Sequence, residues 1–224
     1  MRKNLLTVIF LFYLLSACTK PHKDSLAEDN GCIDRIIIPV TAHAINNADI
    51  PVVNSLFQSN NVDNANLRYY RYTHDSIQTY YPPYSKLDEK VVRVDQYTNG
   101  LRIMTGDLVF IFIKDSFNFM AGYLTQGTRL NTTPHLSLGQ VRKLFINDVD
   151  QFDHKADEYK DSCLKAEFGY YNLNVGTGGS SENLIKAWRV TPKGTVHPSE
   201  YPVGYYQDDD GKRIYYFNGM ETFH

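Results

Sequence analysis

The stretch from Gln96 to Asp115, QYTNGLRIMTGDLVFIFIKD, constrains the fold of this chain more than any other. Asn99-Gly100 has the residue types of a tight hairpin turn, because both central positions of such a turn adopt positive φ. The run from Leu108 to Ile113 contains no polar side chain, which is typical of a strand buried on both faces. We therefore expect a β-hairpin whose second strand lies inside the molecule.

Strand patterns also fill most of the remaining chain. The 17 Tyr and 12 Phe, against one Trp, favour strands over helices. Helices are predicted at about 48–59, where Asp49 can cap the N-terminus, and at about 137–150, where a capping box begins at Ser137. Strands are predicted near 66–73, 90–98, 107–114, 117–125, 163–172, 183–191, 201–207 and 212–218.

The order of these elements, helix then strands followed by helix then strands, predicts the fold class. We expect an α+β fold of two halves, each an antiparallel sheet with a helix packed on one face. The chain then divides into a signal peptide at 1–17, a flexible polar tether at 18–31, a first half at 32–133 and a second half at 134–224.

The N-terminus predicts export and a lipid anchor. Arg2 and Lys3 precede an apolar run that ends in LSAC at residues 15–18, as in a secretory signal peptide. The run is shorter than the roughly 20 apolar residues of a transmembrane helix. Its LSAC ending resembles a bacterial lipobox, in which cleavage leaves an acylated Cys at the mature N-terminus. We expect Cys18 to carry the lipid in the bacterial cell envelope; the alternative is an ordinary signal peptide with an incidental Cys.

The cysteines and the charge balance restrict the function further. Cys32 and Cys163 remain after cleavage, and an exported pair is expected to form a disulfide, with two separate buried thiols as the alternative. The chain has 23 basic and 25 acidic residues and lacks the basic stripe of a nucleic-acid-binding protein.

Several short motifs follow one another in a defined order. A strand ending in Gln-x-x-Asn-Gly leads to Gly-Asp and an apolar strand, and the motif residues are Gln96, Asn99, Gly100, Gly106 and Asp107. Further along lie the segments TTPHLSLGQVRKLF, LIKAWRVTPKG and YPVGYYQDDDGKRIYYFNG. Together these segments, from about residue 49 to 219, resemble the propeptide and the adjoining PepSY domain of thermolysin-like and fungalysin-like metallopeptidases.

The resemblance implies a PepSY-like or cystatin-like fold, with a propeptide-like first half and a PepSY-like second half. No peptidase follows before His224, and no His-Glu-x-x-His zinc motif occurs in the chain. In such families the propeptide assists folding of its protease and blocks the active site, and stand-alone PepSY-type proteins are thought to restrain peptidases in trans. The resemblance therefore implies a non-catalytic protein that binds, inhibits or regulates an envelope or secreted peptidase.

The residues themselves offer no catalytic constellation. Gly-x-Ser-x-Gly is absent and the seven His are scattered without ligand spacing. The acidic run at 148–161 lacks the Gly bend of a calcium loop, so we interpret it as a solvated acidic surface. Asp208-Asp209-Asp210-Gly211 is interpreted as a hairpin turn. We expect no enzyme activity, no metal and no cofactor.

A cluster of tyrosines supports a second hypothesis of a different class. Tyr70 and Tyr72 are two positions apart on a predicted strand and would share a face. With Tyr80, Tyr81 and Tyr84 in the following loop, they could form an aromatic platform for a glycan or a peptide. The alternative is cross-strand packing of amphipathic rings. In this hypothesis the chain is an envelope module that binds a glycan or a partner lipoprotein.

Overall fold

The computed structural model describes residues 26–80, 82–175, 182–194 and 201–219. Within these ranges the chain forms nine strands and three helices. The strands are β1 (Ile33–Ile36), β2 (Leu67–Gln78), β3 (Lys86–Thr98), β4 (Leu101–Ile113), β5 (Ser116–Ala121), β6 (Leu164–Asn172), β7 (Leu184–Pro192), β8 (Val203–Gln207) and β9 (Arg213–Phe217). The helices are α1 (Ile50–Ser59), α2 (Leu138–Asp153) and α3 (Ala156–Lys160).

All nine strands join a single sheet in the order β2-β3-β4-β6-β7-β8-β9, with β1 beside β6 and β5 beside β4. The predicted α+β class is confirmed. The expectation of purely antiparallel sheets is wrong, because β1 and β4 both run parallel to β6. They occupy the same edge of β6 in succession, with Ile33 opposite Leu164 and Ile103 opposite Tyr170. One long strand edge therefore receives two partners end to end.

The predicted disulfide between Cys32 and Cys163 is present, with the two Cα atoms 4.4 Å apart. It lies where β1 and β6 begin, and the Leu164 amide donates to the Cys32 carbonyl at 3.0 Å. Arg142 of α2 donates to the same carbonyl at 2.9 Å and to the Ser162 carbonyl at 3.0 Å. The covalent bond and the guanidinium together hold the short β1 strand against β6.

The predicted hairpin at Asn99-Gly100 is also confirmed. Thr98 pairs with Leu101, and the two turn residues Asn99 and Gly100 have φ of 50° and 75°. Beyond this turn the register of β3 with β4 shifts, because Gln96 pairs with Ile103 but the preceding Asp95 pairs with Asp107. A bulge centred on residues 104–106 therefore follows the turn and changes the register of the long strand.

Both predicted helices pack on one face of the sheet. Ser137 begins α2 with the predicted capping box, whereas Asp49 precedes α1 without a side-chain cap hydrogen bond, contrary to expectation. Two hydrophobic clusters lie between the helices and the sheet. The α1 cluster includes Val53, Phe57, Val92, Val94, Leu108, Phe110 and Phe112, and the α2 cluster includes Val141, Phe145, Val149, Leu164, Phe168 and Trp188. No helix in the described residues is long and apolar enough to span a lipid bilayer.

The opposite face of the sheet, which we name the helix-free face, has no helix packed on it among the described residues. The prediction that Leu108 to Ile113 is buried on both sides is wrong for this reason. Leu108, Phe110 and Phe112 are buried against α1, but the alternating Val109 and Ile111 are only partly buried. A segment at residues 37–44 covers part of this face. Elsewhere on it Ala187 and Thr191 are buried, whereas Val109, Ile111, Tyr171 and Tyr205 are partly exposed.

Candidate binding surface

The tyrosines selected from the sequence do not form one platform. Tyr70 lies at an irregularity in the pairing of β2 with β3, so the alternation of faces is broken there. Tyr72 pairs with Val92 and packs against the α1 cluster. The Tyr70 hydroxyl instead donates to the Asp107 carboxylate. Tyr70 and Tyr72 therefore do not share a face, contrary to the sequence interpretation.

The other members of the predicted platform belong to the turn between β2 and β3. Tyr80 is 86% exposed and Tyr84 is 66% exposed. Both lie beyond Gln78, the end of β2, which is itself roughly 26 Å along the strand from Tyr70. Tyr81 and the predicted lipid-attachment residue Cys18 lie outside the described residues. Tyr80 and Tyr84 are accessible, but they cannot act together with Tyr70.

A different set of aromatic rings meets on the helix-free face, and we name it the aromatic strip. Its members come from β6, β8 and β9 and from the residue just before Pro202: Tyr171, Tyr201, Tyr205, Tyr215 and Phe217. Ring centroids are 5.4 Å apart between Tyr171 and Tyr205, and 6.3 Å between Tyr205 and Tyr215. Phe217 continues the strip at 6.3 Å from Tyr215 and 4.9 Å from Tyr201. Tyr215 is 47% exposed.

Three Tyr-Tyr pairs in the sequence generate most of this strip, at 170–171, 205–206 and 215–216. Because successive strand residues point to opposite faces, each pair directs one ring toward the helices and one toward the strip. The inward Tyr206 is buried and its hydroxyl donates to Asp148 at 2.9 Å. The strip was not predicted from the sequence, although paired tyrosines in three of the last four predicted strands were the available signal.

The strip is amphipathic rather than purely apolar. Burial raises the pKa of Tyr171, and the neighbouring Tyr205 and Tyr215 raise it further. Its hydroxyl therefore remains protonated at physiological pH and can both donate and accept a hydrogen bond. Rings of this type present a large apolar area with a polar edge, which suits a ligand that has both kinds of surface.

An ionic cluster on the helix-free face is formed by residues of β2, β3, β4 and β6. Asp95 pairs with Arg68 at 2.7 Å and with Arg102 at 3.1 Å, and Arg102 also pairs with Glu167 at 3.2 Å. Burial alone would lower the pKa of Arg102, but Glu167 and Asp95 outweigh it and raise that pKa. The Arg102 Nε is a buried donor without a hydrogen-bond partner in the described residues. A Cβ on Gly169, two residues before Tyr171, would lie 2.5 Å from the Arg102 carbonyl oxygen, so Arg102 lies beside the β6 end of the strip.

Two acidic residues in the C-terminal half of α2 have structural roles that the sequence did not predict. Asp148 is only 8% exposed and accepts hydrogen bonds from Tyr206 and Arg213. Asp153 accepts from Tyr216 and Asn218. Asp148 thus belongs to a buried network and Asp153 to a partly buried one, whereas Asp150, Asp157, Glu158 and Asp161 are exposed, as predicted. Among the described residues, His, Cys, Asp and Glu form no group of three or more that could hold a metal ion.

The arrangement is suited to contact with a ligand. It combines a row of four Tyr rings and one Phe ring that are at least partly exposed, a neighbouring cation and a nine-stranded sheet beneath them. Comparisons of the chain with protein families, with curated proteins and with solved structures gave no match.

Proposed function

We propose that this chain is a non-catalytic binding protein of the bacterial cell envelope, held there by a lipid on Cys18, and that it binds a glycan with the aromatic strip. The observation that carries the proposal is the row of five rings on the helix-free face. Sugar rings have apolar C–H faces and hydroxyl edges, so they complement side chains with an apolar body and a polar tip.

The neighbouring polar groups support the same ligand class. Gln207 follows Tyr205 by two residues in β8 and shares its face, so its partly exposed amide can hydrogen-bond sugar hydroxyls, whose oxygens both donate and accept. Arg102, 23% exposed, adds a positive charge nearby. The sheet beneath the strip is fixed by β6–β7 pairing along nine residue pairs. A rigid aromatic surface loses little side-chain entropy on binding, because each ring has only two rotatable bonds.

Binding of a peptidase is the second candidate, and it comes from the resemblance to propeptide and PepSY domains. With it we propose the two-half, PepSY-like arrangement, in which α1 and α2 each cover their own hydrophobic cluster. The motif residues mainly support the fold. Gln96 donates to the Gly106 and Tyr123 carbonyls at 3.1 and 2.8 Å, and Asn99 donates to the Thr128 carbonyl at 3.0 Å. The aromatic strip would then be the contact surface for the peptidase, since Tyr is enriched at protein interfaces.

The first experiment compares two tyrosine variants in affinity electrophoresis through gels that contain envelope polysaccharide. We expect Tyr215→Ala to weaken retention about tenfold, or ~1.4 kcal/mol, because it removes a central ring of the strip. Tyr80→Ala is the matched control, since Tyr80 is more exposed than Tyr215 but lies outside the strip. Equal retention of both variants would contradict binding by the strip.

The peptidase candidate is tested separately by enzyme kinetics. Under that hypothesis the intact chain slows a thermolysin-like metallopeptidase at near-stoichiometric dose and survives the encounter. Undiminished peptidase activity, or rapid digestion of the chain, would leave the propeptide resemblance without a functional consequence. The lipid is tested by labelling with a palmitate analogue, which Cys18→Ala should abolish.

A further inference from the structure

The outer edge of β2 is open along most of its length. At its beginning, the Ala44 amide donates to the Tyr69 carbonyl at 2.8 Å, and the Tyr69 amide donates to His43 Nδ1 at 3.0 Å. From Arg71 onward, no strand in the described residues pairs with this edge. An unpaired edge of this kind is a template for another strand.

The charges along this edge have an unusual arrangement. Arg71 lies directly opposite Arg93 of β3, and Asp75 lies directly opposite Glu89. Thr73 lies midway between the two like-charged pairs. Like charges at directly opposite positions destabilise a sheet. The edge therefore presents a positive pair and a negative pair on the helix-free face, one on each side of Thr73.

We propose that a second copy of this chain pairs with β2 in antiparallel orientation, with Thr73 of both copies on the two-fold axis. This register places Arg71 of each copy opposite Asp75 of the other. Each positive pair then adjoins the negative pair of the partner. The attraction across the interface offsets the repulsion between like charges within each copy, and it does so at two symmetric positions. On the other face, Tyr72 and His74 come opposite each other across the interface. The charge pattern is complementary to itself, which is the requirement of an isologous dimer.

The geometry limits the strength of this dimer. The two-fold axis is perpendicular to the sheet, so the helix-free faces of both copies lie on the same side. The partner of Tyr69 would be Ile77, but the outward groups of Tyr69 are already occupied by residues 43–44. The ladder is thus confined to residues 71–75, and we infer a weak, reversible association.

The dimer leaves both aromatic strips free. β2 is at one end of the strand order, whereas β8 and β9 are at the other. The two strips would therefore lie at the far ends of one continuous sheet and face the same way. Two linked sites can engage a repetitive ligand with an avidity well above that of either site.

The test is disulfide cross-linking of the full-length chain in its native membranes. In Thr73→Cys the two introduced residues face each other with Cα atoms about 4.5–5.5 Å apart, within the range that a disulfide spans. Ser76→Cys is the matched control, because the same register separates its two copies by about 20 Å. Under mild oxidation, we expect a homodimer band for Thr73→Cys, and only wild-type background for Ser76→Cys.

Charge reversal tests the register within the Thr73→Cys chain. Arg71→Glu and Asp75→Arg should each reduce cross-linking about tenfold, because either change places like charges across the interface. The combined variant should restore it, which distinguishes lost complementarity from misfolding. The proposal is overturned if Thr73→Cys cross-links no better than Ser76→Cys, if the combined variant remains as poor as the single ones, or if the adduct contains a different protein.

Discussion

Replacement of Asp208 is the sharpest test of how the elements around the α2 cluster are held together. Its carboxylate is fully buried at 0% exposure. It accepts hydrogen bonds from the Trp188 indole at 2.9 Å and from the His135 and Leu136 amides at 2.8–3.1 Å. Lys186, 12% exposed, lies 3.0 Å from its Oδ2. One carboxylate therefore joins the turn before α2, strand β7 and the β8–β9 hairpin.

Asp208→Asn retains the shape of this side chain and one acceptor oxygen. It removes the acceptor that serves Lys186 and one of the two contacts to the His135 amide, and places N–H groups there instead. A hydrogen bond to a charged group contributes roughly 1.5–3 kcal/mol, and loss of one member of a buried ion pair costs roughly 3–5 kcal/mol. Because Oδ1 can still serve Trp188, we expect about 3 kcal/mol of lost stability.

Urea unfolding followed by Trp188 fluorescence measures this change in the free energy of unfolding directly. Trp188 is the only Trp of the chain, is 1% exposed and donates a hydrogen bond to Asp208. Asp209→Asn is the control, because Asp209 also pairs with Lys186, at 3.7 Å, but is 69% exposed. It should change stability by less than ~0.5 kcal/mol. If Asp208→Asn were no more destabilising than Asp209→Asn, the buried carboxylate would not have the role we assign to it.

Two further predictions concern the disulfide and His43. Replacing Cys32 and Cys163 by Ser should lower the free energy of unfolding by up to roughly 4–5 kcal/mol, because the bond closes a loop across a sequence separation of 131 residues; an unchanged urea midpoint would contradict this. Burial, with a smaller contribution from Arg68, lowers the pKa of His43. The contribution of neutral His43 to the free energy of unfolding should therefore be complete above about pH 6.5 and be lost as pH falls through the lowered pKa. His43→Gln retains an acceptor for the Tyr69 amide but does not titrate, so the slope of stability against pH should be smaller in that variant.

Features determined by short segments were predictable from the sequence. The Asn99-Gly100 turn, the capping box at Ser137 and the eight longer strands depend on local residue types and on periodicity. The Cys32–Cys163 disulfide followed from the predicted compartment and the small number of cysteines. The bounds of β2 and β3 were too short in the prediction, because their polar outer ends lack apolar alternation although the strands continue to pair there.

The features that shape the binding surface depend on long-range pairing. The irregularity at Tyr70 and the bulge after Ile103 each reverse which side chains share a face, and neither has a unique sequence signal. β1 has only four residues and pairs with β6 across most of the chain. The aromatic strip exists only because β6, β8 and β9 are close in the sheet, so its members could not be selected from one segment.

The central claim is that the aromatic strip on the helix-free face binds the ligand. It is tested most directly by a pull-down from native envelope and secreted fractions, with wild-type chain, Tyr215→Ala and Tyr80→Ala compared in parallel by mass spectrometry and glycan analysis. We predict that one glycan or protein is recovered with wild type and Tyr80→Ala, and is lost or strongly reduced with Tyr215→Ala. Equal recovery with all three chains, or loss with Tyr80→Ala instead, would contradict the assignment of this surface.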